Sequence, residues 1–236
     1  MLQRIILVAA LAAFLAGLPL PASTVYADWT SWQGAVSSST TVGFEGLTSD
    51  FTSYSTSAGL TIGDAQFLGL AASGGYQLWV VNPTAHPDHD FGSGSVLKGP
   101  AFSTASASIL RILLPAATTA LAFDLGTVDT ASSVYTISLD TGEQFPGISV
   151  GARPDTAFFG ITSSVAFTQA DVLMTTGVKS VSYPILDNVA YGLAGSGGGT
   201  GDPPPQETPE TATFLLVGSG LVCFWRWRRR PPQPAA

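Results

Sequence analysis

The segment His86-Pro87-Asp88-His89-Asp90 places both histidines of the chain beside two carboxylates within one short stretch. Neutral imidazoles and carboxylates are the ligand types of zinc and other divalent ions, so His86, Asp88, His89 and Asp90 are candidates for a metal site. No downstream fourth ligand has a fitting spacing, and Pro87 favours an extended loop, so a solvated polar turn is the competing reading. Either histidine could also act as a base, but no Gly-x-Ser-x-Gly elbow accompanies it, and Gly92-Ser93-Gly94-Ser95 reads as a turn. Asp124, Asp129, Asp140 and Glu143 lie close in sequence, and a glycosidase needs two acids roughly 5–9.5 Å apart. Acids at strand ends more commonly close turns. Trp29, Trp32, Trp79 and Tyr76 could stack on sugar rings if exposed, although Trp79 sits in an apolar strand and is expected to pack in the core.

Positioning such groups falls to strands. No 3.6-residue apolar period persists through 28–193, whereas short apolar or alternating runs recur: 77–81, 109–113, 121–125 and 134–139, with further candidates at 41–44, 59–62, 158–161, 165–168, 178–183 and 188–191. Asp140-Thr141-Gly142-Glu143 carries a hairpin signal. Pro115 is expected to end a strand because it cannot donate to a ladder. A helical turn is an alternative within 174–182. Ten short strands between small-residue turns predict an all-β fold, an antiparallel two-sheet sandwich of jelly-roll type.

Charged residues make up only 11% of the chain, against roughly 25% in ordinary soluble domains. Residues 28–193 hold thirteen acids and four bases, a balance that repels phosphate backbones and excludes nucleic acid as a partner. The single cysteine, Cys223, lies in an apolar run near the C-terminus, so the middle domain can form no disulfide.

Both ends read as addresses. Arg4, the apolar stretch Ile5 to Leu18 and the small-residue site Val25-Tyr26-Ala27 form a secretory signal over 1–27 for signal peptidase, with cleavage expected after Ala27. At the other end a Gly/Pro-rich linker, 194–208, precedes Pro209-Glu210-Thr211. An apolar helix over 212–227 follows, and Arg226, Arg228, Arg229 and Arg230 stop it on the inner side of the inner membrane. The apolar run is shorter than the roughly 20 residues of a full span, a gap that snorkelling arginines narrow.

This order of spacer, short motif, apolar helix and arginine cluster resembles the PEP-CTERM sorting signal. The resemblance implies recognition by an exosortase, a membrane-embedded transpeptidase-like enzyme of Gram-negative bacteria that make extracellular polysaccharide. Pro209 and Glu210 match the first two motif positions, while Thr211 stands where a second proline is usual. Phe44-Glu45-Gly46-Leu47, 122–126, 158–162 and 185–189 also resemble extracellular domains that precede such tails, and the similarity implies a sandwich like that of lectins or carbohydrate-binding modules. On the same pattern, Glu45 at the first strand with Asp187 and Asn188 at the last resembles a structural calcium clamp between terminal strands.

Together these readings predict an exported, membrane-anchored and then surface or secreted protein that is not an enzyme and whose 28–193 domain binds polysaccharide. The alternative is a glycan-acting or metal-dependent extracellular enzyme carrying the same tail.

Overall fold

The computed structural model describes residues 23–70, 76–92, 94–102, 108–178 and 182–195. The signal segment through residue 22, the linker beyond 195, Pro209, Glu210, Thr211, the 212–227 helix and Arg226, Arg228, Arg229 and Arg230 lie outside the described residues. Among the described residues no helix is long and apolar enough to cross a membrane.

Among the described residues one short helix, α1 (Trp29–Ala35), accompanies twelve strands: β1 (Ser23–Tyr26), β2 (Val36–Val42), β3 (Phe51–Ser55), β4 (Leu60–Ile62), β5 (Ala65–Leu70), β6 (Tyr76–Val81), β7 (Val96–Lys98), β8 (Ile109–Thr127), β9 (Ser133–Leu139), β10 (Gln144–Val150), β11 (Thr156–Thr176) and β12 (Pro184–Ala194). Every pairing among them is antiparallel.

Two strands run the length of the domain. β8 and β11 pair from Ile109↔Leu173 to Leu113↔Gln169 and again from Ala120↔Thr162 to Gly126↔Thr156, with register shifts between the two stretches. On one side of the shift the ladder continues through β5 to β4 and through β9 to β10. On the other it continues through β12 to β7, β6 and β3, with β2 on the far part of β12 and β1 on β11. The sheet thereby folds over itself into a β-sandwich.

Pro115, expected to end a strand, instead lies inside β8 at this break. The ladder is interrupted there, so its missing N–H has no bond to make. Ala117 takes φ +70°, and the Thr118 hydroxyl donates to the Pro115 carbonyl at 2.9 Å. The expected pairs of strands at 109–113 with 121–125, and 158–161 with 165–168, are thus two long strands rather than four short ones. The 178–183 segment is no strand where it is described: the Ser182 N–H closes a turn onto the Val178 carbonyl at 2.9 Å.

One continuous core lies between the layers. Leu110 and Ile112 from one half of β8 meet Leu121, Phe123 and Leu125 from the other, with Phe67, Ile137, Phe159 and Leu186 among them. Each such fully buried side chain contributes about 1.5–3 kcal/mol. Buried Tyr135 of β9 donates its hydroxyl to the Gly126 carbonyl at 2.9 Å, tying the layers together.

The outer face of the second layer carries a floor of small residues, Ala120, Ala122 and Ala190, on which Trp32 of α1 is fully buried. Asp28 starts that helix by accepting the Ser31 N–H at 2.8 Å. Trp29 and Trp32, three residues apart, fall on one helical face. Gly160 lies beneath them, where a Cβ would stand 2.5 Å from the Phe158 ring and 3.0 Å from that of Trp32, so a larger residue would displace a ring. The indole N–H of Trp32 donates to the Ile161 carbonyl at 3.0 Å.

Arg111 and Asp171 face each other across the β8–β11 ladder in a bidentate ion pair of 2.7 and 2.8 Å. The hydrogen bonds to Asp171 raise the Arg111 pKa above its ordinary value. Because both side chains are partly shielded, a double-mutant cycle with Arg111→Met and Asp171→Asn is expected to return a coupling of about 1–2 kcal/mol from urea denaturation. A coupling near zero would show that the pair is only a solvated contact.

Candidate functional site

The strand that carries Trp79 fixes where the site lies. In β6 the side chains alternate, so Leu78 and Val80 enter the core, fully buried, while Trp79 and Val81 face outward. The expectation that Trp79 packs in the central core is therefore corrected. A strand covered on both faces reads as a continuous apolar run and hides which residues belong to which side. Trp79 is half-buried and joins a smaller outer cluster with Val81, Val96, Ile185 and Phe91.

Neighbouring strands bring the remaining groups to this face. Lys98 of β7 is the register partner of Trp79, and Tyr183 directly precedes β12. The Trp79 and Tyr183 rings stand edge to face, 6.3 Å apart at 89°. The Lys98 ammonium lies over both, 4.0 Å from the Tyr183 centroid and 5.5 Å from that of Trp79, a geometry that holds a cation against ring faces. Burial pushes the Lys98 pKa down, with the Asp88 charge acting in the opposite direction. Phe51 of β3, 53% exposed, packs on the His86 ring at 5.7 Å. Phe51, Trp79, Val81, His86, His89 and Lys98 line a groove of about 290 Å³.

The histidine loop forms one wall of this groove. Pro87–His89 is a 3-10 turn, not an extended loop, because proline's fixed φ suits the first position of a helical turn. His86 places Nε2 2.6 Å from Asp50 Oδ1. His89 is buried, with Nδ1 3.1 Å from Asp88 Oδ1, and its Nε2 has no hydrogen-bond partner among the described residues. Asp90 accepts the Gly92 N–H at 2.9 Å. The four metal candidates His86, Asp88, His89 and Asp90 are thus divided among separate local partners. Among the described residues no three His, Cys, Asp or Glu side chains converge as a metal shell would require.

The calcium candidates are placed in the same way. Glu45 accepts the Ser95 N–H at 2.7 Å. Asp187 is buried and accepts the Asn188 N–H at 2.7 Å, while the Asn188 amide donates to Asp124 at 2.8 Å. The four candidate acids are committed to structure as well. Asp124 also receives the Trp29 indole N–H at 3.0 Å, Asp129 accepts from the Ser182 hydroxyl, Asp140 accepts from the Thr168 hydroxyl at 2.6 Å, and Glu143 accepts from Thr141 at 3.2 Å.

Sequence reasoning named His86, His89 and Trp79 but missed Phe51, Lys98 and Tyr183. Lys98 alone left a trace, as a charge at the end of the apolar run Val96-Leu97. A second groove of about 330 Å³, lined by Ser38, Ser39, Thr40, Pro115 and Tyr191 among others, offers hydroxyls but no charged group. Ligand sites combine apolar walls with a few convergent polar groups, which favours the Trp79 groove.

No family model matches this chain, and no curated protein matches it. Among solved structures it is similar to a family 29 carbohydrate-binding module, at 10% identity and TM-score 0.32, covering 60% of this chain and 86% of that one. It is also similar to the K2 cleaved adhesin domain of Lys-gingipain, at 10% identity and TM-score 0.41, covering 66% of this chain and 100% of the other. The chemistry of the groove therefore rests on this chain's own residues.

Burial holds the His89 imidazole below its usual 6.5, against the opposing hydrogen bond to Asp88, and Lys98 and His86 add to the depression. The unfolded chain then binds a proton at pH values where the folded chain does not, so stability falls as the pH drops through 6.5 towards the folded value. Asp88 titrates below 3.8, despite partial desolvation, because of its hydrogen bond with His89, and so acts outside that window. His89→Gln is expected to flatten the stability loss between about pH 7 and 5, measured as urea midpoints across pH. An equal loss in the variant would assign the dependence elsewhere.

Proposed function

We propose that this chain is an exported, non-enzymatic surface protein whose β-sandwich binds polysaccharide through the Trp79 groove. One observation carries the reading: the Trp79 and Tyr183 rings lie beside a desolvated lysine, on a sheet face that α1 leaves uncovered at this end. Sugar rings present C–H faces that pack on aromatic side chains, and their hydroxyls need convergent donors at the rim. Lys98 supplies three N–H donors and a positive charge. His86 supplies a half-exposed imidazole. Among the described residues Lys98 is the one permanently charged side chain lining the groove, while Asp50 and Asp88 contact its two histidines, so a polymer carboxylate that reaches the Lys98 ammonium gains over a neutral group.

Support for the cellular address comes from the two ends of the sequence. An apolar N-terminal segment behind Arg4 suits the general secretion route. The Pro209-Glu210-Thr211 motif, the apolar helix and the arginine cluster suit recognition by an exosortase, with the domain facing outward and the arginines inward. The commitment of Asp124, Asp129, Asp140 and Glu143 to structural hydrogen bonds supports binding over hydrolysis. On this proposal the sandwich is of jelly-roll type.

Trp79→Ala is expected to weaken binding to an acidic exopolysaccharide at least tenfold, about 1.4 kcal/mol, in isothermal titration or glycan arrays. Lys98→Met should abolish the preference for uronate-containing over neutral polymers. Full binding by Trp79→Ala protein with an unchanged melting temperature would overturn the groove as the site. For the tail, mass spectrometry of protein recovered from the native cell surface is expected to find a C-terminus near Pro209, and an intact arginine cluster there would leave a permanent anchor instead.

A further inference from the structure

The first strand carries an inference about where the mature chain begins. β1 pairs with β11 in the register Ser23↔Ser163, Thr24↔Thr162, Val25↔Ile161 and Tyr26↔Gly160. The Tyr26 hydroxyl hydrogen-bonds that of Thr162 at 3.0 Å, and the Tyr26 ring packs with Trp29 against the Trp32 cluster. Asp28, two residues on, caps α1. The residues before the expected cut at Ala27 are thus part of the domain, continuous with the helix that covers its outer face.

A cut after Ala27 would remove the whole of β1. The Gly160–Ser163 stretch of β11 would then lose its partner on that side, exposing an unpaired strand edge. Tyr26 would be removed from the Trp32 cluster, opening the packing of α1 on its alanine floor.

A second peptidase-compatible site lies just upstream. Ala22 provides the small residue immediately before the cut, with the larger apolar Leu20 at the other position read, and Ser23 would be the new first residue. Pro19 and Pro21 disfavour continuation of a helix past the apolar stretch that ends at Leu18. The Ala22–Ser23 bond is also the one that leaves every residue of β1 in the product.

We propose that signal peptidase hydrolyses the Ala22–Ser23 bond and that mature protein starts with β1. In that step the amide C–N bond breaks, the oxygen of a water molecule joins the Ala22 carbonyl carbon to give a carboxylate, and the Ser23 nitrogen leaves as an amine. The inference rests on the export reading above.

The test is N-terminal sequencing and intact mass of the full chain expressed in a Gram-negative host with a general secretion system. Ser23 as first residue is the expected result. Asp28 as first residue overturns the inference while leaving export intact, whereas retention of Met1 overturns the inference, and retention of Met1 in protein confined to the cytosol overturns export as well. Two variants sharpen the outcome. Ala22→Gln is expected to reduce the processed form at least tenfold, and Ala27→Gln, at an exposed position, should leave it unchanged. The reverse pattern overturns the inference.

Discussion

The continuous pairing of β8 with β11 is the constraint on which the rest of the domain depends. One hydrogen-bonded ladder, shifted in register around Thr118 and Phe167, supplies the central strands of both layers. Because the chain bends there instead of stopping, the two halves cannot choose their relative placement independently. Leu110 and Ile112 are delivered to the same core as Leu121 and Phe123 by their position in one strand. The bend places Pro115 where no ladder bond is needed and gives Ala117 a left-handed backbone, a conformation that costs an alanine roughly 1 kcal/mol. Such local strain persists when the surrounding packing leaves the chain no alternative.

From this spine the outer face of the second layer is finished in two different ways. Over β8, β11 and β12 the small residues Ala120, Ala122, Gly160 and Ala190 leave room for a two-tryptophan helix, with Phe158 packed beside Trp29. Over β6, β7 and the start of β12 the residues are large, with Trp79, Lys98 and Ile185 projecting where no helix lies over them. A sheet face with small side chains invites a covering element, whereas one with rings and a lysine stem forms walls of its own. The groove forms between these strand side chains and the histidine loop that walls one side of it.

Much of the architecture was legible because period-two alternation survives in the sequence. Strands β9 and β12 and the turn at Asp140–Glu143 follow directly from β-branched runs and turn residues. The long strands were read as pairs of short ones because proline and polar residues at a bulge look the same as those at a strand end. Strand β1 lies within the stretch that reads as a signal segment, and β3 and β10 escape because Thr52, Ser53, Gln144 and Gly147 break the apolar pattern, so tertiary pairing decides their state. Of the site, the histidine loop stood out by composition. Its neighbours did not, since Phe51, Lys98 and Tyr183 converge only through the β3–β6–β7–β12 order.

The energetics of Lys98 distinguish this groove from incidental packing. A lysine on a sheet face ordinarily snorkels, burying its stem and leaving the ammonium in water. Here burial lowers the pKa, so the charged form is disfavoured relative to solvent, and among the described residues no carboxylate stands within ion-pairing distance to offset that cost. The two ring faces return about 0.5–2 kcal/mol, less than a hydrogen-bonded anion would supply. His89 beside it is likewise held neutral by burial, its Nε2 unpartnered among the described residues. A buried imidazole nitrogen without a partner beside a partly buried lysine is the kind of local inconsistency that concentrates at functional sites. On the proposed reading, a ligand oxygen reaching the Lys98 ammonium would add a hydrogen bond to its two ring contacts.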